Sequence, residues 1–345
     1  MNQRLNRLAR AVTFSVTLGA TLAANTAAAE PVELIFNNFI PTAAPLYSKG
    51  LEPWAREVEA ASNGTLKITI PTSSLAPPPR SFDIVEDGVA DIAIAAVGFR
   101  EKQFQLNMVS NIPLSAETTK GASIAAWETH QKFFADVGQW EELIPLTIFS
   151  LGDQQIFSNT HPIRSIEDFD GFKMMVEGNE RTTTVQNLGA SPVGDAGIKM
   201  FELISGGVAD GIQSAVGPAA ILGMVNATKH ITVVPGGMGR SPFVIFINRE
   251  RFEELPEDAQ KALIETSGVK LAGKLGAILD GTDAYGMNKF KEAGIEVEDA
   301  SAELINAITE ASAHHEAAWI EQANSMGIDG TAAFEFFRKN AESNK

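Results

Sequence analysis

Residues 168–179 read Asp168-Phe-Asp-Gly171-Phe-Lys-Met-Met175-Val-Glu177-Gly-Asn179. A helix-like stretch follows, then Asn187-Leu-Gly-Ala-Ser-Pro-Val-Gly-Asp195. After a second helix-like stretch comes Gly207-Val-Ala-Asp210-Gly-Ile-Gln213-Ser214-Ala-Val-Gly217. The pattern is strand, turn, helix, repeated, with polar residues gathered where each strand ends. In open α/β sheets a ligand sits at those carboxyl ends, and a few polar groups on rigid supports are what a pocket requires.

Working outward, Gly88-Val-Ala-Asp-Ile-Ala-Ile-Ala-Ala-Val-Gly98 matches Gly207–Gly217 at seven of eleven positions. Each copy follows a helical segment and opens a strand, so two similar lobes are expected. Val32–Phe36, Leu66–Ile70, Ile92–Ala96, Leu146–Leu151 and Phe243–Ile247 read as strands. Helical spacing covers 46–61, where Leu51, Trp54, Ala55 and Val58 share a face and Asn63-Gly64 ends the run. It also covers 124–134, 255–290 and 302–324, while 341–345 are expected to fray. The 255–290 run is long enough to cross between lobes, although Gly268, Gly273, Gly276, Gly281 and Gly286 weaken it.

The N-terminus carries Arg4, Arg7 and Arg10, a short apolar run over 11–24, and Ala27-Ala28-Ala29 as an A-x-A site. That is the pattern of a secretory signal peptide spanning 1–29, with Glu30 as first mature residue and the periplasm as destination. Cleavage there removes three Arg and no acid, taking the formal charge from −16 to −19. So acidic a body argues against nucleic acid as a partner. The chain has no cysteine, which excludes disulfides, thiolate nucleophiles and Cys-based metal sites. No nucleophile elbow, Walker loop or zincin helix occurs, and Gly236-Gly237-Met-Gly239 lacks the phosphate-loop Lys. His314 and His315 are neighbours on one helix, so no metal site is expected, nor a cofactor. The chain reads as a binding protein, not an enzyme.

With these residues in view, Asp168–Asn179 resembles the D-L-K-G-L-K-I-R-V-P stretch of DctP-type solute-binding proteins, which serve TRAP (tripartite ATP-independent periplasmic) transporters. Gly189-Ala-Ser-Pro192, Phe201-Glu-Leu with Val208-Ala-Asp-Gly211, and Leu255-Pro-Glu-Asp-Ala-Gln-Lys-Ala262 resemble further family pieces, in order. The resemblance implies a periplasmic solute receptor of an α/β, two-lobed fold, with a cleft between the lobes and a long helix crossing both. It implies TRAP membrane permease subunits as partners of a monomer. On this reading 30–152 form lobe I and 153–239 lobe II. Residues 240–280 return to lobe I and enter the spanning helix, and 281–345 hold lobe II and the C-terminal helices.

The family's Arg after K-I, which the resemblance makes a carboxylate clamp, is replaced here by Met175, and the region of a second Arg reads Asp153-Gln154-Gln155. Asp195 stands where the family has an apolar pocket wall, and Glu177 replaces a Pro. These exchanges suggest a cationic amine or amino alcohol as ligand, with Phe36, Phe39 and Phe157 available for cation–π contact. The expected ligand-binding set is Asn37, Asn38, Phe39, Gln155, Phe157, Met175, Glu177, Asn179, Asp195, Gln213 and Ser214. The alternative is an organic carboxylate held by a displaced arginine: Arg100, Arg181 or Arg240.

Overall fold

A computed structural model of the chain describes residues 30–176, 179–194 and 199–345, with Asn179 and Glu180 described by their backbone only. The expected signal peptide, Glu177 and Asp195 lie outside the described residues. In chain order the elements are β1 (Val32–Asn37), α1 (Glu52–Ala61), β2 (Leu66–Thr69), α2 (Ser81–Glu86), β3 (Ile92–Ala96), α3 (Thr119–Thr129), β4 (Leu143–Ser150), β5 (Gln154–Ser158), β6 (Lys173–Val176), α4 (Asn179–Asn187), β7 (Ser191–Gly194) and α5 (Met200–Ser205). They continue with β8 (Gly211–Ala215), α6 (Val216–Ile221), β9 (His230–Val233), β10 (Pro242–Asn248), α7 (Arg249–Glu253), α8 (Glu257–Thr266), α9 (Gly268–Glu292), β11 (Glu296–Asp299), α10 (Ala302–Ser325) and α11 (Gly330–Ser343).

Among the described residues the strands form two sheets, β2-β1-β3-β10-β4 in lobe I and β11-β9-β5-β8-β6-β7 in lobe II. Each sheet is parallel except for one strand: β10 in lobe I and β5 in lobe II. Those two are the strands that have just crossed from the other lobe. β4 leaves lobe I at its carboxyl edge and becomes β5, and β9 leaves lobe II and becomes β10. The carboxyl edges of both sheets therefore meet at the crossings, which is where the cleft must lie. The crossings run side by side: Leu151 N–H donates to Ser241 O (2.9 Å), Gln154 N–H to Gly239 O (3.2 Å) and Met238 N–H to Gln154 O (2.9 Å).

The repeat in the sequence is a repeat in structure. Gly88 and Gly207 take φ of 68° and 71°, a left-handed turn that favours glycine. The following Asp in each copy ties its turn to a neighbouring strand. Asp91 Oδ2 accepts from Ile35 N–H (2.6 Å), and Asp210 Oδ2 accepts from Lys173 N–H (2.9 Å).

The run over 255–290 is two helices rather than one. Gly268, at φ 61°, turns the chain between α8 and α9, and its carbonyl accepts from Thr147 Oγ1 (2.9 Å). From there α9 does cross the molecule. Leu271, Ala272, Leu275 and Leu279 enter the lobe I core, and Phe290 the lobe II core. A second helix also crosses: α10 buries Leu304 and Ile308 in lobe II but Trp319 and Ala323 in lobe I. The last helix, α11, buries Phe334, Phe337 and Ala341 in the lobe I core. Residues 281–345, expected to hold lobe II and the C-terminal helices, thus contribute to the cores of both lobes. The apolar faces of α10's second half and of α11 find their partners on lobe I.

Candidate functional site

The lobe I wall is built where β1 and β3 end. Asn37 is fully buried; its Oδ1 accepts from Leu75 N–H (2.8 Å) and Ser74 Oγ (3.3 Å), while its Nδ2 has no partner among the described residues. The Asn38 amide closes on Ile40, donating to its carbonyl (2.8 Å) and accepting from its N–H (2.9 Å). That local turn holds Phe39 between two other rings, with centroids 6.4 Å from Phe99 and 6.3 Å from Phe243. Phe243 pairs with Ala96 at the end of β3, so all three rings share the carboxyl edge. Phe99 remains 38% exposed.

The lobe II wall is built where β6 and β8 end, beside the start of β5. Met175, Gln213, Ser214 and Gln154 line a cavity of about 30 Å³ together with Val176, Met200 and Ile212. Gln213 Nε2 donates to Met238 O (2.7 Å), and Ser214 Oγ to Ala215 O (3.3 Å). The side-chain oxygens of Gln213 and Gln154 are buried with no partner among the described residues. Buried amide atoms in this state are costly unless a ligand or water meets them.

Two expected contacts are placed elsewhere. Phe157 is fully buried against Phe290 of α9 (5.3 Å), in one of the two cores that cover the sheet, so its ring has no face to offer a ligand. Gln155 is taken up by the fold: its Oε1 accepts from Val234 N–H (2.6 Å), and its Nε2 donates to Asp153 Oδ2 (2.9 Å) and Val234 O (3.3 Å). Asn179 opens α4. The period-2 alternation of β5 puts Gln155 and Phe157 on one face and Gln154 on the other, and Gln154 is the residue the sequence reading missed.

The three candidate arginines have separate fates. Arg100 lies on lobe I, ion-paired with Glu86 and with Asp83 (2.6 Å) and set 5.1 Å from the Phe82 ring centre. Arg240 is buried at the crossings, 3.5 Å from Asp153, donating to Ala116 O (2.9 Å) and Thr119 Oγ1 (3.3 Å). Arg181 leaves the first turn of α4 in lobe II and reaches lobe I, donating to Asn111 Oδ1 (2.6 Å) and Ser241 Oγ (3.1 Å). It is 6% exposed, so its charge sits inside the interface between the lobes. Ser241 is two residues from Phe243, which brings the guanidinium to the edge that carries the three rings.

His314 turns back on its own helix, with Nδ1 3.0 Å from Ala311 O, and His315 faces Thr184 (2.9 Å). Among the described residues no group of three His, Asp or Glu is placed to hold a metal ion.

The sequence pattern of the bacterial extracellular solute-binding proteins, family 7 (DctP), matches residues 36–322. A TRAP periplasmic solute-binding protein of Bordetella bronchiseptica, solved with bound (R)- and (S)-mandelate, is 30% identical with a TM-score of 0.84, covering 91% of this chain and all of that one. A marine metagenome TRAP solute-binding protein specific for aromatic acids, solved with 3-hydroxybenzoate, is 26% identical with a TM-score of 0.81, covering 91% and 99%. The protein of Comamonas testosteroni called outer membrane transporter protein TsaT is 26% identical over 313 residues, 90% of this chain and 92% of its own. With its paired lobes, crossing strands and matching sequence pattern, the chain belongs to the bacterial extracellular solute-binding proteins, family 7, the DctP family of TRAP periplasmic solute receptors.

Proposed function

We propose that this receptor binds a small aromatic carboxylate, with Arg181 as the carboxylate anchor, and hands it to its membrane permease. The observation that carries the reading is Arg181 itself: a buried guanidinium projecting from one lobe to the other and donating to Ser241, two residues before Phe243. Guanidinium and carboxylate pair in a fork of two parallel hydrogen bonds. In a low-dielectric cleft that pairing is favoured, and a second cation is repelled. Ring faces and edges supply the apolar part of the recognition. Asn37, Gln154 and Gln213 offer buried amide atoms for a hydroxyl on the ligand.

The likeness to receptors solved with mandelate and 3-hydroxybenzoate supports an acid. The amine expectation rested on Met175 and Asp195. Met175 is buried in the lobe II core, and Asp195 lies outside the described residues. The family's arginine has not been lost without replacement: a guanidinium enters the cleft from α4 instead of from β6.

A thermal-shift screen tests the reading. A ligand that binds only the folded chain stabilises it by about 2.7 kcal/mol at a hundredfold excess over Kd. Mandelate, benzoate and 3-hydroxybenzoate are expected to raise Tm, and ring-matched amines such as benzylamine are not. Amines that raise Tm while the acids leave it unchanged would overturn the proposal.

A further inference from the structure

The two strand crossings and α9 converge on one buried polar cluster: Asp153 on the outbound crossing, Arg240 on the return, and Asp280 and Asp283 one turn apart on α9. The two α9 carboxylates serve different lobes. Asp280 caps α3 of lobe I, accepting from Thr119 N–H (2.7 Å) and Lys120 N–H (3.0 Å). Asp283 accepts from Gly217 N–H (2.7 Å), which follows β8 in lobe II. Its other oxygen, Oδ2, is buried with no hydrogen-bond partner among the described residues. The surroundings are shaped around it: a Cβ at Gly152 would fall on Asp283 Oδ2, and one at Gly217 would come 3.0 Å from Oδ1. Asp283 is thus held jointly by the outbound crossing, by lobe II and by the helix that spans both lobes.

We propose that Asp283 is a proton-linked hinge: it carries a proton on Oδ2 in the lobe arrangement described here and releases it when the lobes move apart. The charged groups facing it are Asp153 and Arg240 from the crossings and Asp280 from its own helix. α6 contributes only the Gly217 backbone, and α3 brings Lys120, whose backbone amide meets Asp280. Three partly buried carboxylates thus share one buried guanidinium, and a neutral Asp283 relieves the like-charge repulsion and the cost of holding charge on a buried oxygen. Burial first, and then the charge of Asp153, push the Asp283 carboxyl up to about 7, against the pull of the Gly217 N–H and Arg240. Burial likewise pushes Asp153 up. A group that binds its proton more tightly in one arrangement draws the protein into that arrangement as pH falls.

The chain has no cysteine, so a Leu75→Cys, Ile221→Cys variant takes two spin labels at exposed positions of different lobes. Distances between them are measured by pulsed electron resonance on the full, ligand-free chain. Lowering pH from about 8 to about 6 is expected to raise the ratio of short to long distances about tenfold. In the same background Asp283→Asn, neutral at every pH, is expected to hold the ratio at its low-pH value throughout. A ratio that ignores pH, or one that still responds in Asp283→Asn, overturns the proposal. Should that variant fail to fold, carbon NMR of aspartate-labelled, otherwise unaltered protein decides: no aspartate titrating above about pH 6 overturns it.

Discussion

His130 carries its ring into the lobe I core, 5.9 Å from Trp127, 6.2 Å from Trp140 and 6.4 Å from Phe134. Its Nδ1 lies 3.1 Å from Asn107 Nδ2, an arrangement that needs a neutral ring nitrogen as acceptor. Burial pushes its pKa down to about 4, whereas in the unfolded chain it is near 6.5. The unfolded state therefore takes up the proton first, and stability is lost as pH falls from about 6.5 through 4. Asp283 acts in the opposite sense across part of the same range, since its folded pKa is raised and folding then favours its protonated form. The wild-type profile alone mixes the two. We expect the stability advantage of wild type over His130→Gln in urea unfolding to shrink by on the order of 3 kcal/mol across that window. A constant difference would contradict a neutral, buried His130. At this scale the sequence was only partly legible. Asn37 ends β1 and Ser214 is the next-to-last residue of β8, while Gln213 lies in the middle of that strand. Phe157 and Gln155 went elsewhere because both faces of the lobe II sheet are covered, Ile156 entering one core and Phe157 the other, and residue type does not reveal which strand positions reach the cleft. Phe99 could have been found by analogy with Phe39, since it follows β3 much as Phe39 follows β1.

Helices α3 and α9 pack with almost no space between their backbones. A Cβ at Gly276 would stand 2.6 Å from Lys120 Cα and 2.7 Å from Thr119 O, neither of which can swing aside. Five residues on, a Cβ at Gly281 would meet nothing within 4 Å. The same exchange is therefore expected to have opposite signs on one helix. Gly276→Ala should destabilise by about 1–3 kcal/mol through overpacking. Gly281→Ala should stabilise by about 0.5–1 kcal/mol through helix propensity. Denaturant titration of both variants checks this, and equal effects would mean that close approach is not what keeps Gly276. Element existence was mostly legible, because helical spacing and strand alternation are local properties. The break at Gly268 was not, since a glycine within a helical pattern reads equally as a weak point or as a left-handed turn. The expected fraying of 341–345 gave way to a helix running to Ser343, because Ala341 is buried against α3.

At the scale of the molecule, two lobes were legible from one repeated turn, and the family from the order of several short pieces. The charge of the proposed ligand was not, because the proposal turns on a side chain that reaches from one lobe to the other rather than on any contiguous motif. Arg181 is six residues from Met175 in sequence, yet its partners Asn111 and Ser241 lie 70 and 60 residues away. The account therefore stands on Arg181, and calorimetric titration of the full chain with 3-hydroxybenzoate tests it most directly. Arg181→Gln keeps polar reach and removes the charge. Losing a charge-assisted pair costs about 1.5–3 kcal/mol, so the variant is expected to bind roughly ten- to a hundredfold more weakly than wild type. Wild type that binds the acid with Arg181→Gln binding it equally well would contradict the account.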